Sequence, residues 1–286
     1  MTSTSPAIGW RARLGWNRSS SFLLGMFFTT IVVIGIVWWP LLADYVGSYD
    51  PRFPWWAQTD WLLLGVFAFM TLAIVSRADL RRDLRTVGVG LAGGLVIESW
   101  GTQTGLWTYY TFERPPLWIL PAWPVASLAI DRLTSRLQPL FDRLPRGAML
   151  AVYAVVFAGF LALMLAFVWP TIDRSLTMSA LALCAFLIAV PRQPATALAT
   201  FAAGSGLGYF LELWGTTRAC WTYYTLETPP MFSVLAHGMA AVAFWRSAEA
   251  ISSVARRIAR SAGRIRRRSS EARQGPALTA PDEANL

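Results

Sequence analysis

The chain has 286 residues, of which 55% are hydrophobic and only 14% are charged. Soluble domains usually carry about 25% charged residues, so this composition excludes an ordinary soluble protein and indicates an integral membrane protein. All 25 basic residues are arginine, and the net charge of +9 would suit a nucleic-acid partner. Because the arginines lie between apolar segments and in the C-terminal region, we attribute them to membrane orientation and expect no nucleic-acid binding.

Eight apolar segments predict an all-α, polytopic protein with about eight transmembrane helices. A membrane helix needs roughly 20 mostly apolar residues. The first segment follows three arginines, as in a signal peptide, but it exceeds the roughly 7–15 residues of a signal-peptide core, so we expect it to be retained. The predicted spans are about 22–42, 60–76, 86–106, 116–131, 148–169, 176–191, 196–216 and 230–248.

The distribution of arginine predicts the orientation of these spans. With a cytoplasmic N-terminus, 21 arginines fall in cytoplasmic segments and 4 in outer segments. Cytoplasmic loops of membrane proteins are enriched in arginine and lysine. We therefore predict a multi-pass protein of the bacterial inner (plasma) membrane with both termini in the cytoplasm.

An internal duplication is the strongest signal in the sequence. At an offset of 114 and without a gap, residues 98–116 match residues 212–230 at 12 of 19 positions. The stretches Val37–Pro40 and Phe167–Pro170 extend the similarity, since each closes an apolar segment with Trp-Pro. Because the number of spans in each half is even, the two halves enter the membrane in the same orientation. The duplication therefore predicts two parallel four-helix repeats related by an axis along the membrane normal.

The repeats divide the chain into four predicted regions. Residues 1–20 form a cytoplasmic N-terminal segment, 21–135 the first repeat, 136–250 the second repeat, and 251–286 a basic cytoplasmic tail. We expect the tail to be solvated and partly disordered, with disorder over residues 274–286. The alternative is a basic helix that binds anionic lipids at the inner leaflet.

Each repeat contains a glutamate at a depth where charge is costly. Counting 1.5 Å per residue from Arg85, Glu98 lies roughly 18 Å into the membrane, past the middle of a core about 30 Å thick. Glu212 aligns with it. A charged residue near a helix centre costs roughly 2.5–3.5 kcal/mol, so both should face protein or water. We predict both as catalytic acids; the alternative is an interhelical hydrogen bond that fixes the two halves.

The single histidine, His237, aligns with Trp123 and is predicted as a third catalytic residue beside Glu212. The alternative is a hydrogen-bonded packing residue. With one histidine and no His/Cys cluster, we expect no metal site and no cofactor.

Aromatic residues follow each glutamate in what we predict to be outer loops. They could form a membrane-interface belt or the wall of a binding site whose π-faces stabilise a cation. The predicted substrate-binding residues are Trp100, Trp107, Tyr109, Tyr110, Trp214, Arg218, Trp221, Tyr223 and Tyr224.

The pattern Glu-x2-Gly, then Trp-x-Tyr, then a proline-containing helix start resembles integral-membrane carotenoid enzymes. It occurs within residues 94–125 and 208–238. The similarity is to bacterioruberin-type carotenoid hydratases and, more distantly, to membrane lycopene cyclases. The hydratases usually show a Gly-Pro-Phe-Gly-like segment where this chain has Trp-Thr-Tyr-Tyr. The resemblance implies acid-initiated carbocation chemistry on a long polyene, with Glu98 and Glu212 as the acids.

Three hypotheses about function follow. The first is an enzyme that modifies an isoprenoid or related membrane lipid within the bilayer, as a hydratase or cyclase does. The second is a proton-coupled transporter or flippase of a lipid-linked or amphipathic solute, in which the glutamates gate the space between the repeats. The third is a non-catalytic membrane subunit. A transporter should also have polar residues deep on the cytoplasmic side.

Overall fold

The computed structural model describes residue 11 and residues 14–274, with side chains described as far as residue 261. Most of the predicted N-terminal segment (residues 1–10, 12 and 13) and the predicted disorder over residues 275–286 lie outside the described residues. The chain divides into two compact units, residues 1–246 and residues 247–286. Almost all of both predicted repeats lies in the first unit.

Helices account for 77% of the residues, so the all-α prediction is confirmed. Short 3-10 turns lie at Trp55–Ala57, Leu117–Ile119 and Trp169–Thr171. The nine α-helices within the described residues are α1 (Arg18–Val37), α2 (Trp39–Gly47), α3 (Trp61–Val75), α4 (Leu80–Thr104), α5 (Ala122–Phe141), α6 (Arg146–Val168), α7 (Ser175–Ile188), α8 (Pro194–Thr217) and α9 (Met231–Gln274).

Local sequence signals explain several helix ends. Asn17 and Ser20 form a reciprocal capping box at the start of α1. The Asp79 carboxylate accepts hydrogen bonds from two backbone amides of the first turn of α4, so this helix begins six residues before its predicted span. The same helix ends at Gly105, whose left-handed conformation (φ 76°) suits glycine.

The two Trp-Thr-Tyr motifs, predicted as separate loops, form a small antiparallel sheet instead. Strand β1 (Trp107–Tyr109) pairs with β2 (Trp221–Tyr223), and Thr108 lies opposite Thr222 at its centre. Alternating aromatic and β-branched residues favour this extended pairing. The sheet joins equivalent points of the two repeats, so both copies of the motif lie at the same end of the first unit.

Matching contacts extend the equivalence of the two halves to α1 and α6. The hydroxyl of Tyr110 donates to the carbonyl oxygen of Val37 at the end of α1. The hydroxyl of Tyr224 donates to the carbonyl oxygen of Phe167, in the last turn of α6, at 2.7 Å. The aligned tyrosines therefore bind aligned carbonyls, as the proposed extension of the duplication would require.

Glycine permits close packing of α4 on α5 and of α8 on α9. A Cβ atom added to Gly94 would lie 2.4 Å from the ring of Trp123, and one added to Gly208 would lie 2.4 Å from the Cβ of His237. Real Cβ atoms do not approach so closely, so these positions exclude any larger side chain.

Two of the eight predicted spans are, within the described residues, long and apolar enough by themselves to cross a membrane. They are α1 and α6, the latter with the 3-10 turn that follows it. Helices α3 and α7 are apolar but shorter.

The second unit is helical as far as Gln274, the last residue that the structure describes, and this helix is the alternative that we gave for the predicted tail. Exposed Ile251, Val254 and Ile258 lie on one face of this helix, at spacings of three and four residues. The neighbouring Arg256, Arg257 and Arg260 are also exposed.

Candidate functional site

Glu98 lies on α4 with only 2% of its surface exposed. Its carboxylate accepts three hydrogen bonds from aromatic side chains. Trp107 Nε1 donates to Oε2 at 3.1 Å, the Tyr109 hydroxyl donates to Oε1 at 2.9 Å, and Trp123 Nε1 donates to Oε1 at 3.1 Å. Two donors come from strand β1 and the third from α5, so the carboxylate ties three elements together.

Glu212 on α8 repeats this arrangement in the second copy and is 4% exposed. Trp221 Nε1 donates to Oε2 at 2.9 Å, and the Tyr223 hydroxyl donates to Oε1 at 2.8 Å. His237 Nε2 lies 2.8 Å from the same Oε1. The structure thus brings together all three predicted catalytic residues with four of the predicted aromatic residues.

The spacing of the motif explains how a strand reaches back to its own helix. Gly101 follows Glu98 by one turn, and a Cβ atom there would lie 1.9 Å from the ring of Trp107. Gly215 has the same relation to Trp221, also at 1.9 Å. Only glycine leaves room for the indole ring to lie across the helix and donate to the carboxylate, so the Glu-x2-Gly and Trp-x-Tyr parts of the motif form one structural unit.

The two sites adjoin each other rather than acting as separate centres. The Trp123 and His237 rings stack with centroids 5.9 Å apart and planes 19° from parallel. Trp107 contacts Tyr223, and Tyr109 contacts Trp221, each pair with centroids 5.9 Å apart. The donors to one glutamate therefore pack on the donors to the other, and the two carboxylates belong to one buried aromatic centre.

The third partner differs between the copies. The Trp123 indole can only donate a hydrogen bond, whereas the His237 imidazole can donate, accept or carry a proton. The His237 side chain is 21% exposed, which makes it more accessible than the Glu212 carboxyl beside it, at 5%. The second copy therefore has, beside its carboxylate, a side chain that can both donate and accept a hydrogen bond.

Trp100 and Trp214 do not reach the carboxylates. Trp100 Nε1 donates to Thr177 Oγ1 at 3.3 Å, and its ring meets Trp107 edge to face at 5.7 Å. Trp214 Nε1 donates to Asp60 Oδ2 at 2.9 Å. Each tryptophan thus binds the N-terminal end of a helix from the opposite repeat.

Arg218, Tyr110 and Tyr224 also lie away from the two carboxylates. Arg218 Nε is 3.2 Å from Asp60 Oδ2, so this arginine shares an aspartate with Trp214 and does not join Glu212. The two tyrosines bind carbonyls of α1 and α6, as described above. These three residues hold the periphery of the aromatic centre in place.

Sequence reasoning missed three residues of this region: Trp123, Asp60 and Thr177. The signal for Trp123 was present, because its alignment with His237 predicted an equivalent position beside Glu98. Asp60 and Thr177 lie outside the duplicated motif and carried no comparable signal. In the part of the chain that the structure describes, no group of three or more His, Cys, Asp and Glu side chains could hold a metal ion.

Comparisons with protein-family models, with curated proteins and with solved structures find no match to this chain. The comparison that informs the site is therefore internal. Both copies retain the glutamate, the glycine, the tryptophan and the tyrosine, whereas Trp123 and His237 differ. The four shared residues build the aromatic centre. The difference between Trp123 and His237 gives the two copies different hydrogen-bonding chemistry.

Proposed function

We propose that this chain is an enzyme of the bacterial inner membrane that acts on an isoprenoid or related lipid by acid-initiated chemistry, as a hydratase or cyclase does. The observation that carries the proposal is the pair of buried carboxyls enclosed by indole and phenol rings. Such a centre combines proton-transferring groups with π-faces that stabilise a carbocation. The resemblance to membrane carotenoid enzymes supports the same chemistry.

Exposed apolar surface supports placing the chain in a membrane. Val155 on α6 is 73% exposed and Phe186 on α7 is 84% exposed, and many other large apolar side chains are also exposed. Contiguous apolar surface of this kind marks membrane or protein contacts. At 25 and 24 residues, α4 and α8 are long enough to span a bilayer, and their glutamates are buried. Hydropathy alone therefore underestimates the capacity of α4 and α8 to span a bilayer.

The pairing of β1 with β2 supports parallel rather than inverted repeats. Helices α4 and α8 each lead directly into one strand of this sheet. Both helices must then end on the same side of the membrane. With eight spans, this arrangement returns the chain to its starting side, and the arginine distribution supports a cytoplasmic position for both termini and an outer position for the sheet.

In the proposed reaction, a carboxyl or imidazolium of the centre donates a proton to a carbon–carbon double bond. The proton forms a new C–H bond, and the adjacent carbon becomes a cation facing the aromatic rings. In a hydratase, water then attacks the cation and releases a proton. In a cyclase, a second double bond attacks, and loss of a proton completes the ring. Both routes return one proton to the protein and require no redox partner.

His237 is the group best placed to renew the proton. It contacts Glu212 Oε1 and is the most accessible protonatable group of the centre. The glutamates accept hydrogen bonds from all their indole and phenol partners, which holds the carboxyl groups in fixed orientations. His237 and Glu212 therefore form the proposed proton-donating pair, with Glu98 as the second acid.

The alternative transporter function is favoured by one observation. Arg132 Nη2 on α5 lies 2.6 Å from Asp83 Oδ2 near the start of α4, and these side chains are 9% and 1% exposed. Asp83 lies about four turns before Glu98 on the same helix. A proton-coupled transporter requires such a second polar layer towards the cytoplasmic side.

The exposed side chains of the basic tail favour a second, peripheral interaction, in which the tail binds anionic lipids. The exposed apolar face at Ile251, Val254 and Ile258 lies beside exposed arginines. Helices of this composition bind at the surface of anionic membranes, with the apolar face inserted at the interface. We assign this role to residues 251–261.

Mass spectrometry of lipid extracts from a deletion strain and its parent tests the proposed enzyme. We expect an unsaturated isoprenoid or related lipid to accumulate in the deletion strain and to disappear when the wild-type chain is restored. An unchanged lipid composition would contradict the enzyme and favour the transporter or the non-catalytic subunit.

A further inference from the structure

A groove lies between α4 of the first repeat and α7 of the second. Its volume is about 260 Å³, and its lining includes Leu95, Val96, Ser99, Trp100, Ser179 and Ala180. None of these side chains carries a charge. Leu95 and Val96 are 43% and 48% exposed, so the groove opens sideways on the surface that the proposed membrane covers.

The aligned positions of the second repeat carry larger side chains. Leu95, Val96 and Ser99 align at the offset of 114 with Tyr209, Phe210 and Leu213, in that order. Trp100 and Trp214 are identical. At these three positions α4 carries a leucine, a valine and a serine, whereas α8 carries two aromatic rings and a leucine. The residues that α4 contributes to the groove are therefore not repeated on α8.

Only one indole ring separates the groove from the Glu98 site. Trp100 forms part of the groove wall, and its ring meets Trp107 at 5.7 Å. Trp107 in turn donates to Glu98 Oε2 at 3.1 Å. The polar contact of the Trp100 indole is a long hydrogen bond of 3.3 Å to Thr177. Only 8% of the Trp100 surface is exposed, so its packing also holds the ring, and movement of this ring is the step that a route from the groove to the aromatic centre requires.

We infer that this groove binds a segment of the substrate's hydrocarbon chain and that the substrate enters the aromatic centre on the Glu98 side. The inference rests on the proposed function and specifies the route to its site. The uncharged lining and lateral opening suit an apolar chain arriving from the bilayer and exclude a charged headgroup. The volume lies below the roughly 300–1,000 Å³ of pockets that enclose a whole drug-sized ligand, so the rest of a long chain stays in the lipid.

This assignment gives the two copies different roles. The second copy contributes His237 for the proposed proton supply, whereas α4 of the first copy contributes the groove wall that borders the Glu98 site. The stacked rings of Trp123 and His237 lie where the two copies meet. A double bond that passes Trp100 would therefore reach a centre in which His237 supplies the protons.

Photo-crosslinking tests the groove independently of catalysis. The probe is a geranylgeraniol analogue with a diazirine on its terminal isoprene unit, added to the full chain in lipid nanodiscs. Mass spectrometry then locates the label. We expect labelling of the peptides that contain Leu95–Trp100 and Ser179–Ala180. Filling the groove from either wall, with Ser99→Leu or Ala180→Leu, should lower this labelling about tenfold and lower lipid conversion with it.

Leu213→Ser is the matched control, because it changes the aligned position of the second copy. It should leave labelling of the groove unchanged. Thermal unfolding shows whether each groove-filling variant folds. Because Ser99→Leu lies on α4 and Ala180→Leu on α7, one variant still tests the groove if the other folds poorly. Equal labelling of all lipid-facing helices, or full lipid conversion by a well-folded variant that has lost the label, would overturn the inference. Specific labelling without any lipid conversion by the wild type would overturn the proposed enzyme and leave the groove intact.

Discussion

At the level of single residues, the two glutamates share their environment but not their third partner. Each carboxylate accepts from a tryptophan at Oε2 and from a tyrosine at Oε1. Glutamine retains one acceptor oxygen and replaces the other with an NH2 group, which can only donate. An NH2 group at the Oε2 position would oppose the indole N–H, whereas at the Oε1 position of Glu212 it could donate to His237 Nε2. A loss of stability therefore has to be separated from a loss of lipid conversion.

Glu212→Gln should abolish lipid conversion, because it removes the proposed acid beside His237. General acid catalysis typically contributes about 10²–10⁴-fold to a rate. The double variant Glu212→Gln/Trp221→Phe removes the opposing indole N–H and should recover stability without recovering conversion. Glu98→Gln should lower conversion less, since Trp123 cannot supply a proton. Each variant is assayed at equal membrane levels with the lipid that accumulates in the deletion strain.

Trp221→Phe alone is the control for the missing hydrogen bond and should retain most of the conversion. Recovery of conversion in the double variant would contradict an acid role for Glu212. It would indicate that the glutamate acts only by holding β2 against α8.

A backbone difference between the copies gives a second prediction at this scale. Gly105 and the aligned Ala219 both adopt a left-handed conformation, with φ of 76° and 53°. This conformation costs an ordinary L-residue roughly 1–2 kcal/mol, and glycine avoids that cost but loses more entropy on folding. Ala219→Gly should therefore stabilise the protein by up to about 1 kcal/mol. Thermal unfolding in detergent measures the effect, and Gly105→Ala should shift the midpoint in the opposite direction.

At the level of elements, the effect of a glycine substitution on stability depends on whether that glycine lies at a helix–helix contact. Gly208→Ala should destabilise the protein by roughly 1–3 kcal/mol, because the new Cβ atom overlaps His237. Gly206 lies on the same helix, and a Cβ atom there would have no neighbour within 4 Å. Gly206→Ala should be neutral or stabilising by up to about 1 kcal/mol, from helix propensity alone. Equal thermal stabilities of the two variants would contradict the proposed contact between α8 and α9.

The helices could be predicted from the sequence, whereas the sheet could not. Apolar length identifies α1 and α6 as long enough to cross a membrane, and Asp79 and Gly105 explain the ends of α4. The partner of Trp107 lies 116 residues away at Tyr223, so a local pattern could indicate extended structure but not pairing. The contact between Arg218 and Asp60 spans an even larger separation of 158 residues. Alignment of the copies predicts equivalent positions, but it does not predict contacts between the copies.

For the whole molecule, the deciding question is which side of the membrane the paired strands face. Glu113 and Glu227 occupy aligned, exposed positions after β1 and β2. The arginine distribution of 21 to 4 predicts that these positions lie outside and that Arg81 lies inside. In a background with Cys184 and Cys220 replaced by alanine, Glu113→Cys and Glu227→Cys should react with a membrane-impermeant maleimide in intact cells. Arg81→Cys should react only after lysis. Labelling of Arg81→Cys alone in intact cells would reverse the orientation, and opposite behaviour of the two glutamate positions would exclude parallel repeats.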